Sequence, residues 1–387
     1  MPPALRVAPS LEQKLERLGS AAAFDLSCAC GDGPSRERSG DGRWIYPAAL
    51  PSGRRVPMLK VLQQAGCERG CGYCAQRRGG AGQDGLALAP EELARTFVEL
   101  HRREQVFGLF LSSAIRGGAV RTMDRMLATA ELLRGRHRFR GYLHLKVIPG
   151  AEPAQVERAM ALATRVSVNL ELPTAEHLAR VAPGKPLREQ ILAPMKQIAR
   201  AEAEGRYRRS GQTTQLVVGA SDETDRQIAR AADWLYRRLR LRRVYYSGFQ
   251  PVPGTPLESR PPAPFLREHR LYQLDFLLRR YGFALDEIPF GEDGALAREE
   301  DPKTAWARRH PERFPLEVNR AELEELVRVP GIGPRSAENL VRMRREAPIR
   351  GLDALRAAGS SWRIAAGYLL LDGRAPGGGE QLALPLP

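Results

Sequence analysis

From Met58 to about Phe249 the chain alternates two kinds of hydrophobic pattern. Short apolar runs rich in β-branched and aromatic residues are strand candidates: MLKVLQ, VFGLFLSS, GYLHLKVI, RVSVNLEL, TTQLVVGA and RRVYYSGF. Between them lie stretches with apolar residues three and four apart, such as EELARTFVELHRRE and ETDRQIARAADWLYRRLR, which predict amphipathic helices. Six β-then-α units in series imply a parallel sheet with right-handed crossovers. Eight such units close a TIM barrel. Six predict an α/β fold, a partial and splayed (β/α)6 TIM-like barrel over residues 57–255.

The flanks break this rhythm. Residues 1–56 begin with a helical pattern, LEQKLERLGSAAAF, and pass into the loop GDGPSRERSGDGR, which predicts an extension of helix and loop. After the sixth strand, QPVPGTPLESRPPAP cannot continue a sheet because proline lacks the N–H that a ladder needs. It leads into FLREHRLYQLDFLLRRYGF, part of a helical connection over residues 256–317. Residues 318–372 read as short helices around VPGIGP, an all-α C-terminal domain, and residues 373–387 as a flexible tail. Apart from the βα alternation there is no internal repeat.

Composition sharpens this in three respects. With 387 residues, 43% of them hydrophobic, the chain can bury a large core, yet no run approaches the ~20 apolar residues of a membrane span. The opening MPPALRVAPS lacks the regions of a secretory signal, so a cytoplasmic protein with no membrane partner is expected. The formal net charge of +15 suits a polyanionic partner such as nucleic acid. Only 6 of the 60 basic residues are lysine, and an arginine bias beside so much Ala, Gly and Pro also follows from a GC-rich genome; the charge permits this partner without diagnosing it. Five cysteines do not make a disulfide scaffold, and three lie within eight residues, which points to metal chemistry in a reducing compartment.

Those three are Cys67, Cys71 and Cys74, in the run CERGCGYC just after the first strand. Three thiolates on one tight loop can hold three irons of a [4Fe–4S] cluster, with Gly70 and Gly72 permitting the turns, and leave the fourth iron open. S-adenosylmethionine (SAM) can chelate that iron, and one electron from an external donor, passed through the cluster, then cleaves the sulfonium to methionine and a 5′-deoxyadenosyl radical. The competing reading is structural zinc, which would draw a fourth ligand from Cys28, Cys30 or a histidine. In barrel enzymes the site lies at the C-terminal strand ends. There the pattern gathers Ser112, Ser113, Lys146, Asn169, Glu171, Gln215 at the start of the fifth strand, and Gln250. Glu171 can accept both ribose hydroxyls of SAM with Asn169 assisting; the alternative is a buried Lys146–Glu171 ion pair.

PMLKVLQQAGCERGCGYC, GLFLSSAIRG, GYLHLKVIPGA, VSVNLELPT, TTQLVVGASDETD, RRVYYSGFQPV and VNRAELEELVRVPGIGPRSA together resemble the DNA modification/repair radical SAM proteins, over about Leu15 to Leu371. The resemblance implies a radical SAM enzyme in DNA modification or repair, working beside a uracil-DNA-glycosylase-like protein. By superfamily analogy Leu111–Gly118 contacts the amino group of SAM. It reads LSSAIRGG where Gly-Gly-Glu is common, which makes Ser112 and Ser113 the carriers, while Asn169 and Glu171 match the ribose-contacting positions. QLVVGASDET and PVPGTPLE resemble segments of biotin-synthase-like members. Cys28 and Cys30 are candidates for a second cluster or a substrate contact.

VNRAELEELVRVPGIGPRSAENLVRMRRE holds a Gly-Ile-Gly hairpin between two amphipathic helices. Gly331 and Gly333 let backbone approach closely, and the N–H groups opening the next helix point at an anion. A helix-hairpin-helix grips one DNA phosphate this way without reading bases, and Arg335, Arg342, Arg344 and Arg345 add attraction. The alternative is a structural or protein-docking hairpin. Finally, Gln381–Leu386 resembles the peptides by which bacterial repair proteins dock on the sliding clamp, on a tether of Gly377 to Gly379; the alternative is a terminus folded back on the barrel. The competing functions are a radical SAM oxidoreductase acting on RNA or a small metabolite, and a non-enzymatic iron–sulfur scaffold that binds DNA.

Overall fold

The computed structural model describes residues 9–22, 45–49, 55–80, 85–207 and 211–376. Cys28, Cys30, the Gly377–Gly379 tether and the Gln381–Leu386 peptide lie outside the described residues. By internal contacts the described chain divides into two compact units. One takes the residues up to Glu223 and Trp234–Glu268, the other Thr224–Asp233 and the residues from His269. Among the described residues no helix is long and apolar enough to cross a membrane.

The first unit carries a seven-stranded sheet in sequential order: β1 (Ile45–Ala49), β2 (Arg55–Leu62), β3 (Gly108–Ser112), β4 (Tyr142–Lys146), β5 (Arg165–Ser167), β6 (Gly211–Val218) and β7 (Arg243–Gly248). β2 to β7 pair in parallel, as the six βα units predict. The crossovers carry α2 (Pro90–Arg102), α3 (Ala119–Arg134), α4 (Pro153–Leu162), α5 (Ala175–Val181), α6 (Ala193–Ala203) and α7 (Asp225–Leu239), while α1 (Leu11–Ala21) precedes the sheet. In α2 the sequence supplies both ends: Pro90 opens the helix, Glu91 and Glu92 face its positive pole, and His101 and Arg102 its negative pole. Glu92 also receives Lys14 of α1 at 2.9 Å, which ties the first helix to the barrel wall.

Two differences from the sequence reading have clear causes. β1 adds antiparallel to β2 within the stretch expected to be only helix and loop. Pro47 hides it from a strand pattern, and proline is tolerated there because β1 is an edge strand. β5 is three residues long rather than eight. After Ser167 the backbone leaves the regular ladder; the Thr214 hydroxyl of β6 donates to the Val168 carbonyl and accepts from the Leu170 N–H, and the strands pair again at a bridge between Glu171 and Leu216.

Register sorts the sheet residues into two faces. Leu59, Leu109 and Leu143 align, as do Val61, Leu111 and Leu145; these form the apolar face that crossover helices cover. The other face aligns Lys60, Phe110 and His144, then Leu62 with Ser112, and Lys146 with Ser167 and Thr213. The Lys60 ammonium sits over the Phe110 ring at 5.2 Å and Phe110 meets His144 edge-on, so a cation–π and aromatic layer plugs the sheet below the polar row.

After β7 comes α8 (Phe265–Arg280), and in the second unit α9 (Pro302–Arg309), α10 (Leu323–Arg328), α11 (Pro334–Glu346), α12 (Leu352–Ala357) and α13 (Trp362–Ala365) succeed one another. Val318, Leu326, Ile332, Leu340, Leu355 and Leu369 belong to a core of its own. Two short strands, β8 (Leu316–Glu317) and β9 (Leu369–Leu370), pair in parallel and bring the ends of the segment together.

Candidate functional site

The three cysteines occupy the loop that leaves β2. Left-handed backbone in this loop falls at Gly66 (φ +79°), just before the cysteines, and at Gly79 (φ +75°), just after them, and not at Gly70 or Gly72. Gly72 serves a close approach instead: its N–H donates to the Val181 carbonyl at 2.7 Å. The loop turns its own backbone toward sulfur, with the Arg69 N–H donating to Cys67 Sγ at 3.4 Å and the N–H of Gln76 directed at the Cys74 sulfur. All three cysteines are free of disulfides, with Cys71 buried and the others half-buried. Burial pushes the Cys71 thiol up and the Cys74 thiol up to about 12. Thiols held like this stay protonated at neutral pH unless a metal compensates the thiolate charge. Three thiols on one loop, two of them met by backbone N–H groups, are a donor set that fits an iron–sulfur cluster.

The segment after α5 braces this loop. Besides Gly72 on Val181, the Arg69 guanidinium donates to the Gly184 carbonyl and reaches Gln190 Oε1 at 3.4 Å. This brings in Lys185, which sequence reasoning missed. Its ammonium donates to Glu171 Oε1 at 2.8 Å and lies 3.5 Å from the Tyr73 hydroxyl, with its charge acting on Cys71. Burial raises the pKa of Glu171, but Lys185, then Lys146, and hydrogen bonds from Lys185 and Tyr73 outweigh it and leave the carboxyl below its usual value. The buried partner of Glu171 is Lys185, where the alternative read from the sequence was Lys146; Lys146 adds its charge to the site. Glu171 itself stands at φ +66°, a strained conformation for a non-glycine residue. It is held there by its N–H on the Gln215 carbonyl (3.0 Å) and its carbonyl on the Val217 N–H (2.7 Å).

Ser112 ends β3 on the polar face and is buried, and Asn169 is buried two residues ahead of Glu171. Ser113 lies past the strand, half-buried, with its hydroxyl donating to the Ala114 carbonyl at 2.8 Å. Gln215 falls in the middle of β6, not at its start, and Gln250 is exposed. On the same polar face Ser167 Oγ and Thr213 Oγ1 are buried with no hydrogen-bond partner among the described residues. Buried polar atoms are nearly always paired, so these orphans fit a polar ligand seated against the sheet. The loop after β6 closes over Glu223, whose carboxylate accepts from the N–H groups of Gly219 and Ser221.

In the second unit, α10 and α11 flank the Gly331–Gly333 turn. Gly331 has φ +81°, and a Cβ there would lie 2.7 Å from the Ser361 carbonyl oxygen, so no other residue fits. Gly333 caps α11 in extended backbone. Arg335 and Arg342 are exposed, and so is Arg345. Arg344 departs from the expected role, because its guanidinium donates to the carbonyls of Val318 and Ala321 and is a tie within the unit.

Residues 61–235 match the family model of the radical SAM superfamily. No protein of curated function matches the sequence. Among solved structures, the chain is similar to the FeFe-hydrogenase maturase HydG from Carboxydothermus hydrogenoformans, at 14% identity over 57% of this chain and 51% of that one, with a TM-score of 0.46. A second similarity is to a radical SAM methyltransferase from Sphaerobacter thermophilus, at 16% identity over 61% of this chain and 75% of that one, with a TM-score of 0.43. The chain spans about half the length of the maturases it matches. With three cysteines on the loop after the first parallel strand and a family match that begins within that strand, residues 61–235 match a radical SAM domain, and their three thiols are a donor set that fits the [4Fe–4S] cluster which, with S-adenosylmethionine, that superfamily uses.

Proposed function

We propose that this chain is a radical SAM enzyme that acts on DNA, in modification or repair. The observation that carries the reading is the presence in one chain of the cysteine loop and of a hairpin whose Gly331 admits no side chain. When bound, the cluster and SAM supply a 5′-deoxyadenosyl radical that abstracts hydrogen from a substrate. Cys67, Cys71 and Cys74 hold the cluster. Lys185 keeps a positive charge beside Cys71, and Glu171, fixed by Lys185 and the β6 backbone, presents its carboxylate to the ribose of SAM with Asn169. Ser112 and Ser113 serve the amino group. Gly331, Gly333, Arg335 and Arg342 engage phosphates without reading bases, which gives sequence-independent binding that weakens steeply with salt.

The resemblance to DNA modification/repair proteins supports a uracil-DNA-glycosylase-like partner, and Gln381–Leu386 supports docking on a sliding clamp. Reduction requires an external electron donor. The deciding experiment is anaerobic reconstitution with iron and sulfide, followed by mass spectrometry of duplex DNA, RNA and free nucleosides incubated with SAM and reductant. A new nucleoside mass in DNA, matched by 5′-deoxyadenosine release, supports the reading. A product in RNA or nucleosides alone overturns the DNA assignment, and absence of SAM cleavage overturns the catalytic one.

A further inference from the structure

A cavity of about 370 Å³ opens beside the hairpin within the second unit. Its lining includes Tyr281, Asp301, Lys303, Gly333, Ser336 and Ser361. Lys303 is unusual among these. It sits in the first turn of α9, is only 6% exposed, and its Nζ donates to the carbonyl of Ile332, the middle residue of the Gly-Ile-Gly turn. The ammonium also stands 4.7 Å from the centre of the Tyr281 ring. Among the described residues no carboxylate comes within ion-pair distance of it. Asp301 is committed to capping α9, accepting from the N–H groups of Lys303 (3.0 Å) and Thr304 (3.1 Å) and from the Thr304 hydroxyl (2.6 Å).

A buried ammonium without a counter-charge is costly and is normally paired. It has three donors, and the Ile332 carbonyl takes one. The opening turn of α11, whose first N–H groups have no partner within the helix, borders the same cavity through Gly333 and Ser336. We propose that this cavity seats a phosphate group, with the Lys303 ammonium as its counter-charge and the first turn of α11 and the Ser336 hydroxyl as its donors. Resting on the reading that the hairpin holds DNA, this makes Lys303 the residue that both fixes the Ile332 carbonyl and meets the phosphodiester.

A pH dependence follows. Burial depresses the Lys303 ammonium to about 7, with the Asp301 charge only partly opposing it. A phosphate entering the cavity favours the protonated form, so binding takes up a proton and weakens as pH rises above 7. The groups facing Lys303 do not mimic this: Asp301 is a carboxylate, and the Tyr281 phenol is pushed up by burial and by Asp301. His310, which caps the C-terminus of the same helix, is retained in every Lys303 variant and so cannot account for a slope lost in them.

The test measures affinity of the full-length protein for a short duplex by fluorescence anisotropy, from pH 6 to 8.5 at fixed ionic strength. One charge-assisted contact corresponds to roughly a tenfold loss of wild-type affinity across that range. Lys303→Met should bind at pH 6 about as weakly as wild type does at 8.5, with a flat profile, and Lys303→Arg should be flat at the stronger level. Should Lys303→Met fail to fold, the arginine variant alone decides, since a retained pH slope in it overturns the proposal. Calorimetric titration with inorganic phosphate separates the two readings. Phosphate bound by wild type and not by Lys303→Met, without duplex binding, keeps the cavity and removes DNA. Duplex binding whose pH profile is unchanged in the Lys303 variants removes the cavity and keeps DNA.

Discussion

Replacing Glu171 with alanine separates a structural role from a ligand-binding one. The Glu171–Lys185 pair is 2.8 Å long, with side chains only 5% and 11% exposed. Deleting the carboxylate leaves an ammonium buried against Cys71 and Tyr73, and breaking a buried pair from one side typically costs about 3–5 kcal/mol. For a unit of this size each kcal/mol lowers the melting temperature by roughly 2–4 °C, so a drop on the order of 10 °C is expected. The double variant Glu171→Ala/Lys185→Met removes both charges and should recover most of that loss, because the penalty belongs to the stranded ion. Affinity for SAM should fall in the single variant and stay low in the double one, while iron content holds in both. Thermal melting of the reconstituted protein, iron analysis and calorimetric SAM titration read these three quantities. A single variant melting within ~2 °C of wild type would refute the buried-pair argument. Recovery of SAM affinity in the double variant would refute the ribose contact.

Alanine at Cys67, Cys71 or Cys74 should abolish both the bound iron, about four per chain in the wild type, and SAM cleavage; stoichiometric zinc with no iron uptake on reconstitution would sink this assignment. Arg344→Ala should destabilise the second unit by about 2 kcal/mol, since two carbonyls lose a charged donor, with DNA affinity unchanged in the folded protein; Arg342→Ala should do the reverse, and chemical denaturation paired with anisotropy tells them apart. Lys303 makes stability itself pH-dependent. Its folded pKa near 7 lies below the unfolded value, so between about 7 and 10 the unfolded chain binds more protons and stability rises with pH, on the order of 4 kcal/mol in total. Denaturation curves at pH 7 and 9.5 should show part of this rise in wild type and none of it in Lys303→Met.

Much of the scaffold is legible in the sequence. The six parallel strands were marked by apolar runs at regular intervals, because a strand buried on both faces needs apolar residues continuously and its crossover helix needs them every three or four. The cysteine loop and the hairpin were legible for a similar reason: each packs its chemistry into fewer than ten consecutive residues. Local geometry was less so. Gly70 and Gly72 look like the turn residues of the cysteine loop, yet the left-handed positions are Gly66 and Gly79 on either side of the cysteines, since composition marks where glycine occurs and not which one takes a positive φ. Pro47 concealed β1, whose existence depends on an edge that only the folded sheet provides.

By itself, then, the sequence determined the order of strands and helices, the three thiols on one loop and the Gly-Ile-Gly turn, all of which rest on periodicity or spacing over short stretches. Tertiary structure alone decided which charges meet. Lys185 reaches Cys71 and Glu171 because the backbone after α5 is hydrogen-bonded to the cysteine loop through Gly72 and Arg69. Lys303 lies under Ile332, and Arg344 is spent on the carbonyls of Val318 and Ala321. A long cationic side chain carries no periodic signal. Its partner is chosen by desolvation, which penalises an unpaired charge only after the surrounding residues have closed over it.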